Sequence, residues 1–322
     1  MLLPIVQILA GFVLLVWAAD RLVAGASGLA ANLGVSPLII GLTIIGFGTS
    51  APELVVSAAA SLQGNPGLAV GNAIGSNIAN VGLILGITAL IYPLHIDSIT
   101  LKREAPVLVA IMVLTAILMG DLELSRLDGT ILAAGFMAML GWMIAIGLRR
   151  GEADPLVRDL EAEIPSGIPT SNAALWTLVG LVILPVSSRI LVAGAATTAE
   201  LLHVPDTIIG LTIIALGTSL PELAAALASV MKREDDLAIG NILGSNMFNL
   251  LGVLGIAALI EPLYLAPVLL SRDTVVMFIV TAMMLFMALR NHGAGRLGGF
   301  ILLASFLAYQ TLLVVTTIQG GQ

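Results

Sequence analysis

The chain reads as an all-α integral membrane protein: ten transmembrane helices in two inverted five-helix repeats, with broken helices at a shared polar site. Three observations predict this. Of its 322 residues, 58% are hydrophobic and 10% are charged, with a mean hydropathy of +1.08; a soluble domain carries roughly a quarter charged residues. Apolar runs of about 20 residues, enough to cross a bilayer, recur from end to end. Finally, GLTIIGFGTSAPEL (Gly41 to Leu54) returns 169 residues later as GLTIIALGTSLPEL (Gly210 to Leu223), with 11 identities and no gap.

The runs place spans near 3–31, 36–61, 67–92, 104–119, 127–148, 173–201, 205–231, 237–260, 272–290 and 297–317. The first is apolar from Met1 to Ala19 with no basic stretch before it, so it is expected as a span rather than a cleaved signal. The most polar stretch, Arg149 to Ser171, joins spans five and six. The expected organisation is therefore a first repeat over 1–149, a cytoplasmic linker over 150–172 and a second repeat over 173–322. The shift of 169 residues also aligns GNAIGSNIAN (Gly71 to Asn80) with GNILGSNMFN (Gly240 to Asn249), where 6 of 10 residues match.

Loops after odd-numbered spans hold Lys102, Arg103, Arg149, Arg150, Arg158, Lys232, Arg233, Arg290 and Arg296, and those after even-numbered spans only Arg126 and Arg272. The positive side is cytoplasmic, so both termini are expected outside a plasma (inner) membrane. Five spans per half is an odd number, so the second half enters from the opposite side.

Composition excludes several functions. With no Cys there are no disulfides, thiol nucleophiles or thiolate metal sites. No H-E-x-x-H occurs and no His lies within a span, so an intramembrane enzyme is not expected. No room remains for a soluble catalytic domain, and neither a nucleic-acid nor a protein partner is expected; the partners are the bilayer and whatever the repeated segment holds.

That segment is chemically distinctive. Pro52 has no N–H for the Gly48 carbonyl, and Pro221 none for Gly217, so a break and freed carbonyls are expected in spans two and seven. Freed carbonyls in hydrocarbon need a partner. Beside them stand hard oxygen donors: Thr49, Ser50 and Glu53 in one copy, Thr218, Ser219 and Glu222 in the other. Ser76 and Asn80 sit four apart on span three, as do Ser245 and Asn249 on span eight, a spacing that puts each pair on one helical face. Oxygen ligands without His or Cys suit Ca²⁺, Na⁺ or Mg²⁺. Mg²⁺ keeps its waters, so a dry cage fits Ca²⁺ and Na⁺ better. Two carboxylates balance one Ca²⁺ or two Na⁺, and protons are expected to compete for them. Duplication within the same broken helix argues against a merely structural role for Glu53 and Glu222.

GTSAPE and GTSLPE, each followed by GNxxGSNxxN, are similar to the two alpha-repeats of the cation/Ca²⁺ antiporter superfamily, and the chain resembles its Na⁺/Ca²⁺ exchangers of prokaryotic length. The resemblance implies ten helices, spans one and six sliding across a fixed core, and electrogenic exchange of several Na⁺ for one Ca²⁺, exporting Ca²⁺ on the Na⁺ gradient. Carried over by position, Glu53 and Glu222 would bind both ions and Thr49 and Thr218 would join the Ca²⁺ site through backbone oxygen. Ser50, Ser76, Ser219 and Ser245, with the carbonyls of Gly46 and Ala215, would complete flanking Na⁺ sites; Asn80 and Asn249 would sit at the centre. Some K⁺-dependent members have Asp where this chain has Asn249, which weakens K⁺ co-transport here. The H⁺-coupled branch usually lacks this pattern. A passive cation channel is the competing class, but inverted copies in one chain favour alternating access.

Other features have plainer expectations. Gly71 with Gly75, and Gly240 with Gly244, let helices pack closely. Asn77 and Asn246 are expected to cap or bond between helices. Asp20 and Arg189, equivalent under the shift, either pair across the repeats or snorkel separately. His95, His203 and His292 fall at loops or span ends, Lys232 to Asp236 reads as a solvated loop, and Met277, Met283, Met284 and Met287 as lipid-facing or packing side chains.

Overall fold

The computed structural model describes residues 2–34, 48–95, 98–150, 167–231, 235–291 and 293–320. Within them the chain is helical apart from two short β pairings: α1 (Leu2–Asn32), α2 (Ala51–Leu62), α3 (Pro66–Ile91), β1 (Leu94–His95), α4 (Ser98–Leu118), β2 (Glu123–Leu124), α5 (Arg126–Arg150), α6 (Thr170–Leu202), α7 (Asp206–Thr218), α8 (Leu220–Met231), α9 (235–260), β3 (Leu263–Tyr264), α10 (269–291), β4 (Gly293–Ala294) and α11 (Arg296–Gly320). Among the described residues, eight helices are long and apolar enough to cross a membrane, and α7 with α8, bent by 41° at their break, is long and apolar enough for a ninth if the pair is one span. Of the span expected over 36–61, only the part from residue 48 is described, so Gly46 lies outside the described residues, as does most of the expected linker.

The breaks follow local chemistry. Pro221 and Pro52 occupy the second positions of α8 and α2, where a missing N–H costs least. Pro66 opens α3 directly after Asn65, and α6 ends on His203 in the left-handed region (φ 54°).

Burial separates core from periphery. The membrane windows of α3 and α9 are 78% and 89% buried, whereas that of α5 is 17% buried. On α3 the small residues of GNxxGSN make this possible, whereas on α9 a Cβ at Gly244 would meet nothing within 4 Å, so the close packing expected there does not hold at that position. A Cβ on Gly75 would lie 2.8 Å from Ala215 Cβ, and one on Gly71 would strike the Thr207 carbonyl, so α3 packs backbone to backbone on α7. The helices α2, α3, α8 and α9 pack on one another at the centre. Both α3 and α9 carry a π-turn starting at equivalent asparagines, Asn80–Leu85 and Asn249–Val253. Such turns concentrate at functional sites.

Outside this core, α1 and α6 pack along each other. Gly11 lies against Leu191 and, at the equivalent place, Gly180 against Leu22; Gly25 meets Ala173 and Thr177, while Gly194 meets Pro4 and Gln7. Rising numbers on one helix meet falling numbers on the other, so the two run antiparallel. At this register Asp20 and Arg189 are well separated along the axis, and both are exposed. Asp20 instead has Arg21 at 3.8 Å, whose guanidinium sits 5.0 Å over the Trp176 ring. Of the two expectations for that pair, cross-repeat pairing does not hold.

Two antiparallel β pairings tie the halves together: β1 pairs with β4 (Leu94 opposite Ala294), and β2 with β3 (Leu124 opposite Leu263).

One sequence boundary is corrected. Arg272 and Asp273 stand within the helical run of α10, whose first turns, Leu269–Thr274, are π, and Asp273 is fully buried. Arg272 grips Asp273 through Nε (2.7 Å) and Nη2 (3.1 Å), Tyr309 Oη donates to Asp273 Oδ1 at 2.9 Å, and Arg272 Nη1 donates to Thr316 at 3.1 Å. Hydropathy misplaces this end because paired charges are counted as if each faced water.

Candidate functional site

Glu53 and Glu222 each stand third in a helix, α2 and α8, and both are fully buried. Their positions just after the breaks bring both into the packed centre, within range of each other's charge. Each is held by a serine of the other repeat. Ser219 Oγ donates to Glu53 Oε1 at 3.3 Å, and Ser50 Oγ donates to Glu222 Oε1 at 3.0 Å. Ser245 joins the second cluster, 2.9 Å from Ser50 and 3.5 Å from Glu222 Oε1. Thr218 lies beside Glu53 and Thr49 beside Glu222. Ser76 Oγ stands 3.5 Å from Thr218 Oγ1.

The central asparagines also bond across the repeats. Asn80 Nδ2 donates to Asn246 Oδ1 at 3.0 Å, and Asn249 Nδ2 to Asn77 Oδ1 at 3.1 Å. This agrees with the interhelical role expected for Asn77 and Asn246. Met277 is buried and accepts from Asn77 Nδ2 at 3.6 Å, so it packs inward rather than facing lipid.

Two expectations change. The Gly48 carbonyl is not free: the Ala51 N–H meets it at 3.3 Å in a tight turn. The Ala215 carbonyl accepts the Ser219 N–H at 3.2 Å and the Thr218 hydroxyl at 3.4 Å. At the centre the oxygens left without a partner are on side chains instead: Thr49 Oγ1, Glu53 Oε2, Asn80 Oδ1, Glu222 Oε2 and Asn249 Oδ1 are all buried and unbonded, as are, away from the repeated motifs, the hydroxyls of Ser27, Ser61 and Thr115. Buried polar atoms are otherwise almost always satisfied. Two acids, two amide carbonyls and a hydroxyl, contributed by both repeats, are hard oxygen donors of the kind that suits a dehydrated cation. Among the described residues there is no cluster of three or more His, Cys, Asp or Glu.

Asn72 was not singled out from the sequence, although its Gly-Asn pair is duplicated at Gly240-Asn241. Fully buried, it donates to the Glu53 backbone carbonyl at 3.2 Å and to Ser57 Oγ at 2.9 Å, and accepts from Thr218 Oγ1 at 3.1 Å. It fixes where α2 meets α3. The repeats differ here: Thr218 is fully buried and bonded to Asn72, whereas Thr49 is half-buried and its hydroxyl is unpartnered.

Residues 3–145 and 172–315 match the family model described as sodium/calcium exchanger protein. The chain belongs to that family. CaxA of Alkalimonas amylolytica is 47% identical over 316 residues, covering 97% of this chain and 99% of that one. The inner membrane protein YrbG of Escherichia coli strain K12 is 42% identical over 320 residues, covering 97% of each. Among solved structures, the sodium-calcium exchanger NCX_Mj soaked with 100 mM Na⁺ and 10 mM Sr²⁺ superposes with a TM-score of 0.63 at 31% identity, covering 95% of this chain and 97% of that one. The chain is thus a multi-pass membrane protein of the cation/Ca²⁺ antiporter superfamily, a transporter family rather than an enzyme family.

Proposed function

We propose that this exchanger-family protein is a secondary antiporter that exchanges Na⁺ for Ca²⁺ by alternating access, exporting Ca²⁺ on the Na⁺ gradient across the plasma (inner) membrane. The observation that carries this is the set of five unpartnered buried oxygens, two of them carboxylate, drawn from both repeats. Glu53 and Glu222 supply the charge. Thr49, Thr218, Asn80 and Asn249 supply neutral oxygens, and Ser50, Ser76, Ser219 and Ser245, with the carbonyl of Gly46, take Na⁺ alongside. The same two acids serve both ions in turn, which is what makes the transport an exchange.

The antiparallel packing of α1 on α6, with glycines at matching heights, supports two inverted five-helix repeats. The cross-repeat β pairings support a core that stays assembled while α1 and α6 move over it. Ten spans and external termini complete the arrangement, with Ca²⁺ and Na⁺ as cargo and no separate cofactor.

The test is ⁴⁵Ca²⁺ uptake into proteoliposomes with Na⁺, K⁺ and H⁺ gradients imposed one at a time. Uptake driven only by an outward Na⁺ gradient is expected. Uptake with no counter-gradient identifies a channel, and uptake driven by H⁺ or dependent on K⁺ replaces the coupling ion.

A further inference from the structure

Asn77 Nδ2 points at the backbone carbonyl of Asn246 (3.3 Å) and at Met277 Sδ (3.6 Å). Both are acceptors with no proton to give, so this edge of the Asn77 amide has to be its NH₂. Its Oδ1 therefore faces away, where it accepts from Asn249 Nδ2 at 3.1 Å. That spends the NH₂ of Asn249 and leaves its Oδ1 buried and unpartnered. In the other half, Asn246 Oδ1 accepts from Asn80 Nδ2 at 3.0 Å, and Asn80 Oδ1 is left in the same condition.

We infer that Asn77 and Asn246 are positioning residues for the transported cation: each takes the NH₂ of its partner asparagine in the opposite repeat, so that Asn249 and Asn80 present oxygen rather than N–H to the ion. An amide is nearly symmetric in shape, and packing alone does not choose which end faces a cavity. An NH₂ turned inward would put a positive dipole against the cation. The orientation starts from a fixed backbone carbonyl on α9, that of Asn246, and passes through Asn77 to Asn249. This deepens the proposed cation site and rests on it. Simple interhelical bonding accounts for the contacts but does not require both leftover atoms to be oxygens.

Asn246 allows a clean test, because its Oδ1 is the atom that holds Asn80. Asn246→Asp keeps an acceptor there, whereas Asn246→Leu removes it. Equilibrium ⁴⁵Ca²⁺ binding to the purified full chain is measured for wild type, both variants and Asn77→Leu, with melting temperature as the check on folding. Loss of an orienting partner behind a ligand lowers metal affinity by about tenfold or more. Both Leu variants are expected to bind Ca²⁺ about tenfold more weakly while still folding, and Asn246→Asp no more weakly than wild type. Leu variants that bind like wild type, or an Asp variant as weak as Asn246→Leu, overturn the assignment. If neither Leu variant folds, Asn246→Asp decides alone: binding weaker than wild type overturns it and undiminished binding supports it. Because binding is read without a gradient, wild-type binding unaccompanied by Na⁺-driven flux sinks the transport proposal while leaving this comparison intact.

Discussion

Replacing Gly75 with alanine adds one methyl where α3 crosses α7. The new carbon would lie 2.8 Å from both Ala215 Cβ and Leu211 Cα. Carbons rest at about 3.5–4.0 Å, so the two helices would have to part by about 0.7–1.2 Å. Overpacking of this kind costs about 1–3 kcal/mol. The displacement would also pull on Thr218, whose hydroxyl reaches Asn72 at 3.1 Å and Ser76 at 3.5 Å on α3. Losing the firmer of these bonds adds about 1 kcal/mol. Gly75→Ala should therefore lower the melting temperature of the purified protein by several degrees and weaken ⁴⁵Ca²⁺ uptake. Gly141→Ala is the control. Nothing lies within 4 Å of a Cβ there, and removing a glycine from a helix interior should stabilise by about 0.5–1 kcal/mol. If Gly75→Ala melts at or above wild type and transports normally, the backbone-to-backbone packing of α3 on α7 is wrong.

Glu53→Gln and Glu222→Gln keep the serine contact but replace half of each carboxylate with a donor. Removing one partner of a buried charge pair costs about 3–5 kcal/mol, so Ca²⁺ binding should weaken by about two orders of magnitude or more while the ion-free protein stays folded; near-normal flux in both variants removes them from the site. Protons and cation share the same two acids, so uptake at limiting Ca²⁺ should fall from about pH 8 to about pH 5 and recover at high Ca²⁺, because metal ligands must be deprotonated; a flat profile counts against the shared site. Asp273→Asn leaves Arg272 without its counter-charge and should cost about 3–5 kcal/mol of stability, whereas Tyr309→Phe removes a single bond to a charged group, about 1.5–3 kcal/mol. Equal melting temperatures for these two would mean that the pair is solvated.

The long apolar helices and the burial of the two acids were legible because both depend on properties that a linear sequence carries: apolar length, and duplication of a proline-broken segment. The cross-repeat bonding of Glu53 to Ser219 was not, because nothing in either copy says that an acid is held by the serine of the other. The Gly48 carbonyl was expected to be free because Pro52 lacks the N–H four residues on, but a turn closed by Ala51 meets it at 3.3 Å. Asn72 had a signal in the repeated Gly-Asn pair, yet its role depends on a meeting of α2, α3 and Thr218 that only packing creates. The Arg272–Asp273 pair was obscured because hydropathy sums charges without seeing that adjacent opposite ones cancel.

The reciprocity of the serines has an evolutionary corollary. Ser50 serves an acid 172 residues away, and Ser219 returns the service across 166. A half-length ancestor able to insert in both orientations would have found every such partner in a second copy of itself. Once fused, neither copy was free to drift alone: a change at Ser50 is felt by Glu222, and its remedy must arise on the other side of the duplication.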